Sequence, residues 1–379
     1  MTPLRLHRRE AGMSLVELMV AMLIGLIGIV IITHLYVTNE QYKRSTTGIG
    51  TAQINGAVAL YTLERDLRMA GYGIAHSAAL NCSCDKPLCS PLQYYYENKS
   101  SFPPAAGAGG ALPARVVAPV AIIDNPGGPD QITVLYSTAN ERMLPAQLQE
   151  DATVPLYDYK VDYKEGFRAG DLILVSDNAG KCLLKQITGV QDKDSILEHR
   201  TGPFNPAASF GPSDFMPVGS AVFDLGAPVW RTYFVGANKL RAEEVLGQLA
   251  VGAGAAQALV DDIVDLQAEY GVDDGSAGAL SKAEDGIVDR WGTAPPLDPA
   301  DPTKVLWQQI IAVRLGVLAR SQNFEKPSTA GGPCEATTAV EPWAGGAFTV
   351  PGGLPSCYKY RVFETVVPFR NMIWRASAP

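Results

Sequence analysis

The feature that most constrains this chain is an apolar run near its N-terminus. The run extends from Met13 to Val37 and contains a single carboxylate, Glu17. At about 1.5 Å per residue, a helix of this length crosses a hydrocarbon core of roughly 30 Å. A carboxylate inside such a segment is costly and therefore marks a functional site. We predict a transmembrane helix over residues 13–37 in which Glu17 has a specific role.

Residues 1–12, which precede this helix, have the composition of a cytoplasmic leader. They carry three arginines against one glutamate, and the cytoplasmic flanks of membrane helices are enriched in basic residues. A secretory signal peptide has its small-residue cleavage site after the apolar run, whereas here Gly12 stands before it. Cleavage at Gly12 would therefore leave the apolar helix in the mature protein.

The helical pattern continues beyond the apolar run. No proline occurs between the leader and Pro87, and Gly71 and Gly73 stand where a helix stop is expected. We predict one helix over residues 13–70, whose second half, residues 38–70, is amphipathic and packs on a globular head. The predicted packing face consists of two neighbouring apolar stripes: Ile54, Val58 and Tyr61, and Leu60, Leu63 and Leu67.

The remaining residues, 71–379, predict a mainly antiparallel, β-rich head, so that the whole chain is of the α+β class. An apolar content of 47% suffices for one large or two small domains. Residues 255–270 carry apolar side chains at helical spacing and are predicted as a helix. Eight segments rich in β-branched or aromatic residues are predicted as strands: 115–123, 131–137, 171–176, 182–190, 221–223, 229–235, 311–320 and 358–367.

Four segments resemble one group of proteins. The stretch GMSLVELMV at residues 12–20 is similar to the motif of type IV prepilins, which type II secretion pseudopilins share. It departs from most of them by starting the mature chain with Met13 instead of Phe. Three further segments resemble the PilW group of type IV pilus assembly proteins: RDLRMAGY at 65–72, DDIVDLQAEYGVD at 261–273 and VVPFRN at 366–371.

This resemblance implies how the N-terminus is processed and used. It implies cleavage after Gly12 by a prepilin peptidase, N-methylation of Met13, and polymerisation through the apolar helix. It further implies that Glu17 sets the register of an incoming subunit by pairing with a terminal amine. The spacing of Met13 and Glu17 also permits a pair within one helix turn.

The resemblance also implies a role, partners and a location. PilW proteins are minor pilins that prime pilus assembly and sit near the tip with other minor pilins. The implied partners are those subunits, the major pilin, a tip adhesin, the prepilin peptidase and the inner membrane. The implied location is the inner membrane, with a single span and a periplasmic head, and after assembly the pilus at the cell surface.

Two other functions fit the same residues. In one, the head is a membrane-tethered or tip-located binding or adhesin module; in the other, the chain is a minor pseudopilin of type II secretion. A formal net charge of −8, which becomes −10 without the basic leader, argues against direct contact with nucleic acid. The head has only two histidines and no nucleophile elbow or phosphate-binding loop, so we predict no enzyme activity, catalytic residue or cofactor.

All cysteines follow the membrane segment, in a compartment where disulfides form. The candidates are Cys82, Cys84, Cys89, Cys182, Cys334 and Cys357. Cys334 and Cys357 bracket a glycine-rich loop and are the favoured pair, and the other pairings stay open. The alternative is a zinc site built from His76 and the three cysteines of residues 82–89, since three cysteines and one histidine are an established zinc ligand set.

An acidic stretch in the head invites comparison with a calcium loop. Asp273 and Glu284 have the spacing of positions one and twelve of an EF-hand, and Asp285 and Asp289 add carboxylates nearby. Positions three and five, however, hold residues without side-chain oxygen ligands. We therefore predict no metal, and these four residues are calcium candidates against the alternative of a solvated acidic turn.

Overall fold

The structure begins with one unbroken helix and continues as a head of antiparallel sheets. In this computed structural model the described residues are 14–80, 117–139, 144–152, 158–177, 179–200, 204–205, 215–246, 256–278, 282–325, 327, 332–334, 336–337, 339–348, 350 and 355–373. Helix α1 extends over 53 residues, from Leu15 to Leu67. It confirms the predicted long helix.

Two glycines turn the chain after α1. Gly71 and Gly73 have φ angles of 79° and 76°, a region that favours residues without a Cβ atom. A Cβ atom on Gly73 would overlap the side chain of Ser137. Helix α2 (Ser77–Leu80) follows the turn, and helix α3 (Arg370–Ile373) ends the described chain.

The head is built from short strands. Those in the described part of the chain are β1 Val120–Ile123, β2 Gln131–Tyr136, β3 Ala146–Gln147, β4 Asp158–Lys160, β5 Leu172–Ser176, β6 Cys182–Gln186, β7 Gly189–Gln191, β8 Ile196–Glu198, β9 Ala221–Gly226, β10 Val229–Gly236, β11 Lys239–Glu244, β12 Gln257–Asp261, β13 Ile263–Val272, β14 Arg290–Gly292, β15 Leu297–Asp298, β16 Asp301–Val305, β17 Ile310–Arg320 and β18 Tyr360–Pro368.

These strands form four main sheets in which every pairing is antiparallel. The five-stranded sheet has the order β1-β2-β10-β11-β12, and the inner four-stranded sheet has the order β14-β13-β17-β18. The outer four-stranded sheet is β3-β9-β5-β6, the three-stranded sheet is β4-β8-β7, and β15 and β16 form a separate pair. The predicted α+β class, with a long helix and a mainly antiparallel head, is confirmed.

The helix predicted for residues 255–270 is wrong. That segment forms β12 and most of β13, and Asp262, with a φ of 59°, separates the two strands. Of the apolar residues at helical spacing, Leu259 lies exposed on β12, whereas Ile263, Leu266 and Tyr270 are buried on β13. From Val264 to Tyr270 the apolar residues alternate with Asp265, Gln267 and Glu269, and this period of two is the pattern of a strand.

Three hydrophobic cores hold the layers together. The first lies among α1, the five-stranded sheet and the inner sheet, and includes Leu63, Tyr233 and Val317. The second lies between the five-stranded and outer sheets, and the third between the outer and three-stranded sheets. The head is therefore layered, with α1 against one side of the first core.

The outer layers are an insertion. Strands β2 and β10 are neighbours, with Tyr136 paired to Val229, although residues 137–228 lie between them in sequence. Strands β3 to β9 all belong to this stretch, which we call the inserted lobe. The lobe encloses the third core by itself and meets the rest of the head through the second.

Candidate functional site

The first half of α1 stands free of the head. Its large apolar side chains are exposed from Leu15 to Val37, and its most apolar stretch has no buried residue. By length and composition α1 qualifies to cross a membrane. An apolar surface of this extent needs lipid or protein around it in the cell.

Glu17 lies in the first turn of α1, where a carboxylate interacts favourably with the helix dipole. The helix begins directly after Ser14, whose carbonyl accepts a hydrogen bond from the N–H of Leu18 at 3.1 Å. Glu17 forms no ion pair with any described residue. Gly12 and Met13, the predicted cleavage and methylation positions, lie outside the described residues.

The second half of α1 packs on the head mainly through small residues. Ala52 and Ala59 are buried to about the same degree as Leu63 and Leu67. Gly56 lies between the two alanines, and a Cβ atom there would overlap the ring of Phe363 on β18. The helix backbone therefore approaches β18 closely.

One of the two stripes predicted to pack on the head faces away from it. Ile54, Val58 and Tyr61 are 66%, 46% and 67% exposed, whereas Leu63 and Leu67 are fully buried. The face of α1 that packs carries the small residues Ala52, Gly56 and Ala59 in line with Leu63 and Leu67, and the close approach at Gly56 belongs to this face. We call Ile54, Val58 and Tyr61 the outer stripe of α1.

Asp66 joins the end of α1 to the five-stranded sheet. Its carboxylate is 1% exposed and accepts hydrogen bonds on Oδ2 from Arg231 Nη1 at 2.7 Å and from the Tyr233 hydroxyl at 2.5 Å. Arg65 Nε donates to Oδ1 at 3.2 Å. Burial raises the pKa of Tyr233, so that its hydroxyl keeps the proton that it donates.

Asn371, in helix α3 near the end of the described chain, also joins the end of α1 to the head. Asn371 Nδ2 donates to the carbonyls of Met69 at 3.3 Å and Ala70 at 3.2 Å, which follow the last turn of α1. Phe369 and Met372, on either side of Asn371, are buried in the first core. The side chain of Asn371 thus caps the helix end, where free carbonyls need partners.

All three PilW-like segments therefore contribute to one structural unit. Residues 65–72 form the end of α1 and its turn, residues 366–371 cap that end, and β13 from residues 261–273 lies in the same core. The sequence did not identify Arg231 or Tyr233 as part of this unit. The available signal was Asp66 itself, since a carboxylate on the buried face of a helix requires a cationic or hydrogen-bonding partner.

The favoured cysteine pair is within disulfide distance. The Cα atoms of Cys334 and Cys357 are 4.8 Å apart across 23 residues, and the two sulfurs are bonded. Cys182 on β6 is also disulfide-bonded. Cys82, Cys84 and Cys89 lie outside the described residues, and so does the zinc alternative that rests on them.

Three of the four calcium candidates, Asp273, Asp285 and Asp289, accept hydrogen bonds from backbone N–H groups. Asp273 accepts hydrogen bonds from the N–H groups of Glu284 at 2.5 Å and Gly286 at 2.7 Å, and Asp289 accepts one from Gly275 at 2.5 Å. These bonds close the turn that joins β13 to β14. Asp285 accepts a bond from the N–H of the residue two positions on. Within the described ranges, no group of three or more potential ligands is arranged to hold a metal ion.

Burial also shifts the pKa values of a histidine and an aspartate in the head. His199 stacks on Tyr159 with ring centroids 4.1 Å apart, and burial, together with the charge of Lys185, lowers the pKa of His199 to about 3. Burial raises the pKa of Asp130 to about 7, although backbone N–H groups, including that of Ala268, bond to its carboxylate. Both groups belong to the packing of the head.

Two family models match regions that contain three of the four motif segments. Residues 232–371 match the family model of the type IV pilus-assembly protein W, PilW, and residues 7–33 match the prokaryotic N-terminal methylation motif. A type IV-like pilin from Thermus thermophilus is similar in structure, with 12% identity, a TM-score of 0.20, and coverage of 54% of this chain and 87% of that chain. The chain matches no curated protein. It thus combines a methylation motif with a PilW region that begins after the inserted lobe.

Proposed function

We propose that this chain is a minor pilin of a type IV pilus, that it helps to prime pilus assembly, and that it sits near the tip with other minor pilins. The observation that carries the proposal is one helix with two different halves. Its first half carries the methylation motif and an exposed apolar surface, and its second half packs on a head that contains the PilW region. In this proposal the chain is a structural subunit and not an enzyme.

The proposed processing divides the chain into four parts. Residues 1–12 are removed as the leader, and Met13 becomes the methylated N-terminus. Residues 13–37 form the membrane and polymerisation helix, residues 38–70 its amphipathic continuation, and residues 71–379 the head. Cleavage after Gly12 places a new amine one helix turn before Glu17, which gives both buried charges a partner of opposite sign, within or between subunits.

The exposed surface of α1 supports assembly with other pilins. When a subunit leaves the membrane, residues 13–37 lose their lipid surroundings, and the apolar area must be covered by protein. The outer stripe, Ile54, Val58 and Tyr61, continues this surface along the side of α1 that the head leaves open. Helices of neighbouring subunits are the partners of this surface in the proposal.

The proposed location follows from the apolar first half of α1, which anchors the chain in the membrane in this proposal. Before assembly the chain spans the inner membrane once and holds its head in the periplasm, where its cysteines can be oxidised. After assembly it is part of the pilus at the cell surface. Its proposed partners are the prepilin peptidase during processing, then other minor pilins, the major pilin and a tip adhesin.

Imaging of a deletion strain tests the priming role. We expect few or no surface pili without this chain, and recovery when it is supplied in trans. Normal numbers of pili that fail to attach would contradict priming and favour the binding-module alternative. A loss of protein secretion with normal pili would instead favour the pseudopilin alternative.

A further inference from the structure

Strand β18 is an unusually long free edge. It pairs with β17 over nine residues without a register shift, and no other described strand pairs with it. The other edge strands of the described sheets have five residues or fewer. Edge strands are commonly short, bulged or covered, because a row of free backbone groups invites pairing with another chain.

The hydrogen bonds at both ends of β18 show which of its residues face β17. The N–H of Phe369 donates to the carbonyl of Ile311 at 2.7 Å, and the N–H of Ser321 donates to the carbonyl of Lys359 at 2.7 Å. Odd-numbered residues of β18 therefore direct their backbone groups to β17. Because these groups alternate along a strand, the even-numbered residues direct theirs outward.

The outward backbone groups have no partner in the part of the chain that the structure describes. No described residue hydrogen-bonds to the outward N–H or C=O groups of Tyr360, Val362, Glu364 or Val366. Pro368 also belongs to the outward set. Proline lacks an N–H, but at this position an N–H would point away from β17, so no bond to β17 is lost. Val366 is 52% exposed, and the carboxylate of Glu364 is occupied by the N–H of Ala344 at 2.9 Å.

A cleft lies along the first part of this edge. Its volume is about 330 Å³, and it is lined by Ile49 of α1, by residues 336–337 and 339–341, and by residues 359–362. Thr337 Oγ1 donates to the carbonyl of Tyr358 at 2.6 Å, so the chain itself satisfies the outward group just before β18. From the next outward residue onward, no described residue bonds to the outward backbone groups of the edge.

We propose that β18 binds an extended segment of a different protein, which adds an antiparallel strand to the inner sheet. Only an extended backbone presents donors and acceptors at the spacing of alternate strand residues, about 6.7 Å. The segment lies in register with residues 360–366 and carries apolar or β-branched side chains opposite Val362 and Val366. An acidic residue in the segment pairs with Arg361, which is exposed and forms no ion pair with a described residue.

The direction of α1 excludes antiparallel pairing between two copies. Helix and strand run the same way, since Ile49 lies beside the start of β18, Gly56 faces Phe363, and Asn371 caps the helix end. Antiparallel pairing of two β18 strands requires a two-fold axis perpendicular to the sheet, which would point the two α1 helices in opposite directions. Two copies anchored in one membrane cannot adopt that arrangement.

Photo-crosslinking in cells that produce the full chain tests the proposal. Benzoylphenylalanine replaces Val366, and a control chain carries it at Val218, which is 57% exposed on the inserted lobe. We expect a crosslink from position 366 to a different protein. Val362→Pro should reduce its yield at least about tenfold by removing one outward N–H and obstructing the edge, whereas Val362→Thr should leave the yield unchanged.

Three results would overturn strand addition: no crosslink at position 366, a crosslink only to a second copy, or a yield that Val362→Pro does not reduce. Hydrogen exchange of the isolated full chain in detergent checks the open edge without any substitution. The outward amides of residues 362, 364 and 366 should exchange at least about tenfold faster than the amides of residues 363, 365 and 367. Equal protection would show that the chain covers its own edge. Neither readout is a pilus count, so failure here leaves the priming proposal standing.

Discussion

Asp66 is the residue on which the joint between helix and head most depends. Its buried carboxylate has two donors on β10, and removal of the charge leaves Arg231 half-buried without that partner. We predict that Asp66→Ala lowers the free energy of unfolding by about 3 kcal/mol or more, the usual effect of breaking a buried pair. Chemical unfolding of the full chain in detergent measures this.

A surface ion pair of the same helix provides the control. Glu64 and Arg68 are one turn apart, and the Arg68 side chain is 66% exposed. Exposed pairs of this kind contribute about 0.5 kcal/mol or less. Arg68→Ala should therefore change stability little, and an equal loss for both variants would contradict the role given to Asp66.

His199 makes the stability of the head depend on pH in a defined direction. Its folded-state pKa of about 3 lies below the ordinary value of 6.5, so the unfolded chain binds a proton as the pH falls from 6.5 while the folded chain does not. The stability that neutral His199 provides is present above pH 6.5 and is progressively lost as the pH falls toward 3.

His199→Phe tests this dependence because phenylalanine retains a ring against Tyr159 but does not titrate. Asp130 acts in the opposite direction, since its raised pKa of about 7 makes stability fall as the pH rises from about 4 to 7. Both chains contain Asp130, so the difference between their unfolding free energies isolates His199. That difference should grow in favour of the variant below pH 6.5; a constant difference from pH 7 to 4 would contradict the shifted pKa.

At the scale of elements, the packing of α1 depends on the absence of a side chain at Gly56. Alanine normally stabilises a helix interior by up to about 1 kcal/mol relative to glycine. At Gly56 the added Cβ atom meets Phe363, so we predict that Gly56→Ala destabilises the chain by about 1–3 kcal/mol.

Gly50 is the matched control on the same helix. A Cβ atom there meets nothing within 4 Å, so Gly50→Ala should stabilise the chain by up to about 1 kcal/mol. Thermal unfolding of both variants measures the contrast. If Gly56→Ala and Gly50→Ala shifted the midpoint in the same direction, close packing of α1 on β18 would be wrong.

Elements governed by local sequence were predictable, and those governed by distant contacts were not. The absence of proline and the two glycines after residue 70 predicted the extent of α1 to within a few residues. The segment 255–270 was misassigned because a few of its apolar residues also fall at helical spacing, although from Val264 to Tyr270 apolar and polar residues alternate as in a strand. The outer stripe was misassigned because the face that packs is built largely of alanine and glycine, and the partner of Gly56, Phe363, is far away in sequence.

The residues of the candidate site likewise divide into those that the local sequence identified and those that depend on distant contacts. Gly12, Met13 and Glu17 belong to one short motif and were identified directly, and they remain predictions here. The sequence marked Asp66 only as part of a motif and did not indicate its role, because its partners on β10 lie about 165 residues away. No local pattern connects Asn371 to the end of α1, so the cap became visible only in the folded chain.

At the scale of the whole molecule, processing should depend on the size of residue 12. Prepilin peptidases of the family that the motif resembles act after a very small residue. We predict that Gly12→Leu leaves the precursor uncleaved, whereas Ala11→Leu, one residue earlier, permits cleavage. Mass spectrometry of membrane fractions reads the N-terminus directly, and a mature start at Met13 in Gly12→Leu would contradict the assignment of the motif.

Glu17 should matter for assembly and not for folding or insertion. Glu17→Leu makes the membrane segment more apolar, so the protein level and leader removal should be normal. Recovery in sheared pili and in complexes with other minor pilins should fall, because an N-terminal amine loses the carboxylate that offsets its desolvation.

Glu40→Leu is the control for that experiment, since Glu40 lies beyond the apolar run and pairs with Arg44 at 3.1 Å on the helix surface. It should leave the amount of this chain in sheared pili unchanged. Wild-type recovery for Glu17→Leu would indicate that the carboxylate does not direct assembly and that the helix is a passive anchor.

The parallel course of α1 and β18 has a mechanical consequence. A pull along α1, as when a filament is drawn toward the cell, acts parallel to the helix–sheet interface. The contacts between α1 and the head, from the one at Gly56 to the one that Asn371 makes with the helix end, are then loaded together in shear. Separation of the helix requires many of these contacts to break at once. A helix that crossed the strands would instead be peeled away contact by contact, at lower force. The head is therefore attached in a geometry that resists traction on its own anchor better than a crossed helix would.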